Sequence, residues 1–187
     1  MCMENEGPRL VEIELNTIHR ALTGDETALA QIYDAYAKPI YRYHYSRVGN
    51  AADAEDLTSQ TFMAVLEALP RYQHRGRFTA WMFQIARNKA MDHFRGNHNE
   101  SDMTESVADT AQADGLEAVA RNESRAKLKE LMRMLNEDEK ELLRLRFTAE
   151  LSYVQIGQLL GRSEDAVRKS IRRTLDRLAV QMEAQHV

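Results

Sequence analysis

The segment that most constrains the fold lies near the end of the chain, where a turn separates two short helical patterns. Its sequence, LSYVQIGQLLGRSEDAVRKSIRRTLDRL, occupies residues 151–178. Ser152 with Gln155 three residues later predicts a capping box, and Gly161 predicts a turn that needs a positive φ. Ser163 is a favourable N-cap for the second helix. The pattern predicts a helix-turn-helix, a unit that commonly inserts its second helix into the major groove of DNA.

Each helix of this motif has one apolar face. The apolar positions are Ile156, Leu159 and Leu160 in the first helix and Val167, Ile171, Leu175 and Leu178 in the second. Gly157 should let the second helix approach closely, and Glu164 and Asp165 suit the positive end of its dipole. The cations left for the outside and flanks are Arg168, Lys169, Arg172, Arg173 and Arg177. These cations favour DNA binding, and a solvated helix of a bundle is the alternative.

The charge and cysteine content limit what else the chain can be. The 187 residues carry a net charge of −4, which is unusual for a protein that binds DNA unaided, because phosphate contacts dominate affinity. Either the acid lies away from the basic helix or the chain reaches DNA within a larger assembly. Cys2 is the single cysteine, so a disulfide or thiolate metal site is excluded. Without a signal peptide or a long apolar run, we expect a cytoplasmic protein that does not insert into membranes.

Helical patterns also account for the first half of the chain, and almost nothing in it indicates a strand. Asp25 predicts the start of a helix that ends near Gly49, and Pro39 should kink this helix without ending it. The apolar positions expected on one side of it are Leu29, Ile32, Tyr33, Tyr36, Ile40 and Tyr43.

Two further helices are predicted, from about residue 53 to residue 69 and from about residue 78 to residue 95. Pro70 ends the first of them, whose inward positions are Leu57, Phe62, Val65, Leu66 and Leu69. Its other side displays Asp53, Glu55, Asp56, Gln60 and Glu67. This acidic side is either a solvated face or a docking surface for a basic partner.

Residues 96–122 are acidic and poor in large apolar side chains, with Arg121 as their one Lys or Arg. This composition is typical of a flexible, self-repelling linker. Asn136 with Glu139 predicts a capping box in the block that follows. We therefore expect an all-α protein with an N-terminal segment (1–21), a helical domain (22–95), an acidic linker (96–122) and a second small helical domain (123–187).

The third predicted helix and the residues before it combine cations with aromatic rings. The cations are Arg71, Arg75, Arg77, Arg87, Lys89 and Arg95, and the rings are Tyr72, Phe78, Trp81, Phe83 and Phe94. Single-stranded nucleic acid sites need this combination, because cations follow the backbone while rings stack on bases. Phe78, Trp81, Met82 and Ile85 also fit a core stripe. We expect the outward face to carry Phe83, Arg87, Asn88 and Met91, with Asn88 as a base reader.

Three runs of the chain together resemble a known family. GNAADAEDLTSQTFMAVLEAL, RGRFTAWMFQIARNKAMDHFR and the terminal motif are similar to the bacterial sigma factors of the extracytoplasmic-function (ECF) group of the sigma-70 family. The resemblance spans about residues 22–178. It implies a first domain that binds core RNA polymerase and melts the promoter's minus-ten element, and a second that reads the minus-thirty-five element.

Site residues follow from this resemblance position by position. Residues that would dock on the clamp helices of the β′ subunit are Asp53, Glu55, Asp56, Leu57, Gln60 and Phe62. Those that would meet minus-ten DNA are Arg77, Phe78, Trp81, Phe83, Arg87, Asn88 and Lys89. Those that would meet minus-thirty-five DNA are Ser163, Glu164, Asp165, Arg168, Lys169, Arg172 and Arg173. The resemblance further implies contact with the β flap, promoter DNA in double- and single-stranded form, and a separate anti-sigma factor.

The chain departs from the family pattern at four places. Ser59 and Gln60 stand where Gln-Glu is common, which removes one negative charge. Gly96 replaces the second of two arginines, Ser170 stands where an arginine is frequent, and Arg162 replaces an apolar residue. The last two departures suggest an unusual choice of upstream bases.

Three other function classes are weighed against this one. A self-sufficient helix-turn-helix regulator would need its own dimer face, and an anti-sigma-like protein would not need the recognition helix. A helical enzyme could use Asp92, His93 and His98, but adjacent residues on one helix diverge and no convergent ligand set is visible. We therefore expect neither catalysis, nor a metal, nor a cofactor.

Overall fold

The computed structural model describes residues 13–73, 76–97 and 130–184, and within them every regular element is helical. The first domain contains α1 (Leu15–Leu22), α2 (Glu26–Val48), α3 (Ala51–Ala68), a 3-10 turn (Leu69–Arg71) and α4 (Phe78–Asn97). The second contains a helical turn at 130–133, α5 (Glu137–Leu143) with a π-helical turn (Arg144–Thr148), α6 (Tyr153–Leu160) and α7 (Glu164–Ala184). The predicted all-α fold is confirmed.

Local signals set the helix boundaries of the first domain. The Asp25 carboxylate accepts a hydrogen bond from the Ala28 amide at 3.1 Å, and Gly49 ends α2 with φ 77°. Only glycine adopts that φ without steric cost, so the helix stops there. α2 continues through Pro39, as predicted. α3 begins two residues earlier than expected, because Asn50 caps it by accepting from the Asp53 amide at 2.8 Å.

The core of the first domain is aromatic and contains Tyr36, Tyr43 and Phe83 as fully enclosed rings. Two predicted core positions are wrong: Tyr33 is 52% exposed and Leu66 is 48% exposed. The apolar stripe on each of these helices is wider than the surface that the neighbouring helices cover, so residues at its margin remain exposed.

α4 continues to Asn97, so the first two residues assigned to the linker, Gly96 and Asn97, are helical. The remainder of the predicted linker, Arg75, His98 and most of the N-terminal segment lie outside the described residues.

The second domain has the predicted helix-turn-helix. Both capping boxes are present, at Asn136 with Glu139 and at Ser152 with Gln155. Gly161 ends α6 with φ 66°. A Cβ at Gly157 would lie 2.6 Å from the Arg162 carbonyl oxygen, so only glycine allows this turn to pack so closely. Leu175 was expected to face inward, but it is 40% exposed.

The two domains touch each other. α2 packs against the π-helical turn, and α4 packs against α6. This arrangement brings the helix-turn-helix against the helix that carries the predicted minus-ten residues. No helix in residues 13–73, 76–97 or 130–184 is long and apolar enough to cross a membrane.

Candidate polymerase and nucleic-acid interfaces

The acidic side of α3 is exposed. Glu55, Asp56 and Gln60 face solvent, and the Gln60 amide donates to the Asp56 carboxylate at 2.7 Å. Asp53 is half-buried at the start of the helix, where it accepts a hydrogen bond from the Asn50 side chain at 2.6 Å. The helix therefore presents a short row of negative charge that basic groups of a partner could approach.

Two predicted polymerase-contacting residues lie at or below this surface. Leu57 is enclosed between helices, so in this conformation it supports α3 rather than meeting a partner. Phe62 is half-buried and packs on Tyr33, with ring centroids 4.7 Å apart.

An apolar patch that the sequence did not reveal lies beside the acidic row. Tyr33, Met63 and Leu66 are all exposed on α2 and α3. Tyr33 and Leu66 were expected to face the core, and only the packing of the two helices shows that they are outside. Together with the acidic row they form what we call the docking face (Tyr33, Glu55, Asp56, Gln60, Met63 and Leu66).

The start of α4 holds a cluster of three rings. The Trp81 ring lies 4.6 Å from that of Tyr72 and 5.5 Å from that of Phe78, measured between centroids. Phe78 is buried, whereas Trp81 and Tyr72 are half-buried. Phe78 also packs edge-on against Tyr36, with centroids 5.9 Å apart, which joins the cluster to the core. Part of it can therefore offer a flat apolar surface while the rest belongs to the core.

The outward placement of Phe83 is wrong. This ring is fully buried and packs edge-on against Tyr43, with centroids 6.0 Å apart. Phe83 is thus a core residue, because the α4 positions that face α2 include it together with Met82.

Other predicted minus-ten residues remain reachable. Arg77 and Asn88 are exposed, and Lys89 is half-buried. The Asn88 side-chain carbonyl accepts a hydrogen bond from the Gln84 amide at 3.0 Å, which leaves the NH₂ group of Asn88 directed elsewhere. Arg87 differs from these residues, since its guanidinium forms an ion pair with Glu141 of the second domain at 3.3 Å.

His93 lies close to the start of α3. Its Nε2 lies 3.7 Å from the Asp53 carboxylate. In the described part of the chain, no three His, Cys, Asp or Glu side chains converge on one point.

The predicted recognition helix, α7, displays its cations outward. Ser163 caps it by accepting from the Ala166 amide at 3.2 Å, and Val167 and Ile171 bury the opposite side. The exposed polar residues of α7 in the predicted DNA set are Asp165, Arg168, Lys169, Arg172 and Arg173. Glu164 is half-buried and pairs with Arg168, whose guanidinium also lies over the Tyr153 ring at 5.2 Å.

Two departures from the family pattern prove to be in contact with each other. The Arg162 guanidinium donates to the Ser170 hydroxyl at 2.9 Å and to both carboxylate oxygens of Asp138 at 3.2 and 2.9 Å. A longer residue at Ser170 would compete for the same space. Arg162 therefore ties the turn to α5, a role that the sequence alone did not indicate.

A buried histidine supports the first domain. His44 is fully enclosed, and its Nε2 is 3.0 Å from the Thr61 hydroxyl. Burial, reinforced by the nearby charge of Arg47, lowers the pKa of His44 to about 4. The imidazole is therefore neutral at neutral pH.

The comparisons with known proteins cover both domains. Residues 32–100 match the family Sigma-70 region 2, and residues 131–179 match the family Sigma-70, region 4. The chain is 33% identical to the ECF RNA polymerase sigma factor BldN of Streptomyces coelicolor over 88% of its own length and 62% of that of BldN. It is 30% identical to the ECF RNA polymerase sigma factor SigD of Mycobacterium tuberculosis, over 94% of this chain and 85% of SigD.

A solved structure has the same fold. It contains the sigma factor RpoE in complex with the anti-sigma factor NepR from Bartonella quintana, with a TM-score of 0.63 and 22% identity over 82% of this chain and 96% of that one. Both sigma-70 regions, in order, together with these relatives, show that the chain belongs to the ECF group of bacterial RNA polymerase sigma factors, which are transcription initiation factors rather than enzymes.

Proposed function

We propose that this chain docks on core RNA polymerase through the docking face and directs it to promoters through α4 and α7. The observation that carries the proposal is the segregation of charge between helices. Carboxylates are exposed on α3, whereas α7 exposes a row of cations on a helix whose other side is buried. Opposite charges on separate helices suit two different partners, one basic and one a polyanion.

The docking step joins charge to apolar contact. Glu55 and Asp56 would pair with basic groups of the β′ clamp helices, and Met63 and Leu66 would lose their water contact. Charge complementarity steers the encounter, and burial of apolar surface stabilises the docked state.

The minus-ten step uses the rings at the start of α4. Unstacking a base costs a few kcal/mol, so the site must offer a replacement surface and polar partners. The exposed edges of Trp81 and Tyr72 supply the apolar surface, and the NH₂ group of Asn88 supplies a donor for an extruded base. Arg77 and Lys89 would hold the backbone.

The minus-thirty-five step uses α7 as a major-groove helix. Arg168, Arg172 and Arg173 can contact phosphates or guanine edges, and Ser163 with its neighbouring amides lies at the positive end of the helix. Docking on the polymerase fixes both domains relative to each other, so two weak DNA contacts act as one bivalent contact. The contact of the second domain with the β flap, and an anti-sigma factor such as the one solved with RpoE, belong to the same proposal.

In vitro transcription with purified core polymerase tests this function. Core alone should give no transcript from a genomic promoter library, and core with this chain should give discrete start sites. A gel shift without core separates the proposal from a self-sufficient regulator, because such a regulator would bind duplex operators alone as a dimer. Specific binding without core, and no start sites with it, would contradict the proposal.

The docking face has its own test. Asp56→Arg should weaken binding to core by about tenfold, because one favourable charge contact becomes a repulsive one. Glu26→Arg, which reverses an exposed carboxylate at the start of α2, is the matched control. Fluorescence anisotropy of labelled chain titrated with core measures both, and equal affinities for the two variants would exclude the acidic row from the contact.

A further inference from the structure

A buried carboxylate joins the two domains. Glu141, on α5, keeps only 9% of its side chain exposed. The Tyr43 hydroxyl donates to its Oε1 at 2.8 Å, and the Arg47 guanidinium donates to its Oε2 at 2.9 Å. The Arg87 Nε lies 3.3 Å from Oε1. All three partners belong to the first domain, so the second domain inserts one anion into a pocket built by α2 and α4.

The pocket needs this anion. Arg47 and Arg144 lie close enough to interact, and burial together with the Arg47 charge lowers the pKa of Arg144 below its usual value. Burial alone would lower the pKa of Arg47 as well. The interactions of Arg47 with Tyr43 and Glu141 outweigh this effect of burial and raise its pKa. A buried charge without a partner is strongly destabilising, whereas one with both oxygens paired is tolerated. Glu141 thus compensates cations that the closed interface would otherwise leave unpaired.

A second ion pair lies at the edge of the same interface. The Arg42 guanidinium donates to the Glu150 carboxylate at 2.6 Å. Glu150 has φ 62°, and among the described residues it is the one non-glycine with a positive φ. A glutamate in that region is mildly strained and persists where surrounding contacts hold it. The strained residue occurs at the interface, where Arg42 holds its side chain.

The closed arrangement conflicts with the proposed function. DNA elements centred roughly 25 base pairs apart lie roughly 85 Å from each other, at about 3.4 Å per base pair. α4 and α6 are in direct contact, so α4 and α7 cannot reach both elements while the domains touch. In addition, Arg87, which belongs to the proposed minus-ten set, is occupied by Glu141.

We propose that Glu141 is a latch that closes the second domain on the first and pairs with Arg87, and that polymerase binding requires this latch to open. The effect of the latch on polymerase binding rests on the proposed function, whereas closure of the two domains does not depend on that function. The free chain would be held in a form that cannot engage a promoter. When only a small fraction of the molecules is in the binding-competent conformation, the apparent affinity is reduced by that fraction. The latch therefore lowers the apparent affinity for core polymerase.

Energy transfer within the full chain measures closure. Cys2→Ser removes the native thiol, and Ala30→Cys on α2 with Ala179→Cys on α7 provide two exposed labelling positions outside the interface. Glu141→Gln keeps the size of the side chain and removes its charge. Glu130→Gln is the matched control, since it removes a carboxylate of the same domain that pairs with Arg133 at 3.3 Å on the surface.

The proposal expects lower transfer efficiency for E141Q than for the parent, with E130Q unchanged, in the absence of polymerase and DNA. It also expects E141Q to bind core about tenfold more tightly than E130Q. Arg47→Gln removes the partner from the other domain and should open the chain in the same way, which keeps the test valid if E141Q does not fold. Unchanged transfer efficiency in a folded E141Q or R47Q would overturn the latch.

Unchanged core affinity in a variant that does open would overturn its role in polymerase binding. If the parent chain does not bind core at all, the proposed function fails, whereas the transfer measurement still decides closure. The two failures are therefore distinguishable.

Discussion

The two helices proposed to meet DNA, α4 and α7, present their functional side chains in opposite ways. On α4 the Trp81 ring is half-buried in an aromatic cluster and Arg87 is paired with the other domain. On α7 the cations are exposed, and the ion pairs at Arg168 and Arg172 are formed within the helix itself. A fixed aromatic surface suits the capture of unstacked bases, because a base stacks on a flat ring that is already in place. A solvated row of cations suits the major groove of intact duplex, which requires charge and adaptable side chains.

The largest effect should follow from reversing charge on α7. Arg168→Glu with Arg172→Glu replaces two attractive contacts by two repulsive ones, and each base or phosphate contact contributes about 1–3 kcal/mol. Promoter-specific transcription should fall by at least about a hundredfold, measured by run-off assays, while affinity for core stays unchanged. Arg133→Glu, at an exposed position of the same domain, is the control. Loss of core binding in the double variant would contradict the division between the helices.

Acid should lower the unfolding free energy of the first domain, which carries α4, through protonation of His44. Histidine titration should not lower the stability of the domain that carries α7. The pKa of His44 in the folded domain is about 4, below the ordinary histidine value of 6.5, so the unfolded chain binds a proton that the folded domain excludes. This stability is fully present above pH 6.5 and is lost as the pH falls towards 4, at about 1.4 kcal/mol per pH unit. Residues 130–184 contain no histidine.

Denaturation followed by the fluorescence of the single tryptophan, Trp81, reports on the first domain. Between pH 6.5 and pH 5 the parent should lose about 2 kcal/mol more unfolding free energy than His44→Gln, since other acidic groups contribute equally to both. Parallel pH profiles for the two proteins would show that His44 is not the titrating group.

A smaller effect should come from the base-reading position of α4. Asn88→Ala removes a donor that would act only after a base is extruded, so open-complex formation should slow by about tenfold while closed-complex binding changes little. Stopped-flow fluorescence with a labelled minus-ten base separates the two steps. Gln84→Ala, which removes the neighbour that donates to Asn88, is the control. Equal losses in both steps would make Asn88 a structural residue.

The smallest effect should come from the turn between α6 and α7. Arg162→Ala breaks the contacts with Asp138 and Ser170, which are partly exposed, so it should cost about 0.5–1 kcal/mol of second-domain stability. Promoter preference should stay the same, as judged by selection from a randomised minus-thirty-five library. A changed preference would return Arg162 to the base-reading role suggested by its departure from the family pattern.

Sequence reasoning succeeded where a local rule determines structure. The caps at Asp25, Asn136, Ser152 and Ser163 and the end of α6 at Gly161 depend on residues a few positions apart, and all were predicted. The resemblance to ECF sigma factors assigned the candidate surfaces to α3, α4 and α7, and these assignments stay predictions.

The errors arise where tertiary contact decides. Tyr33, Leu66 and Leu175 fit apolar stripes but are exposed, whereas Phe83 is buried in the core. The sequence does not show which side of a helix its neighbours cover. Glu141 gave no signal at all, since its partners lie 54 to 98 positions away in the chain and charged residues on helices are common.

The contact at Gly157 has a bearing on how such a protein changes its set of target genes. In the proposed complex, the orientation of α7 over DNA depends on the close packing at this glycine, where an added Cβ would lie 2.6 Å from the Arg162 carbonyl oxygen and push the turn away. A single substitution there would tilt every reading side chain together without altering one of them. Promoter preference in this fold can therefore change without a substitution at any residue that contacts bases, through replacement of the glycine that lets the turn pack closely.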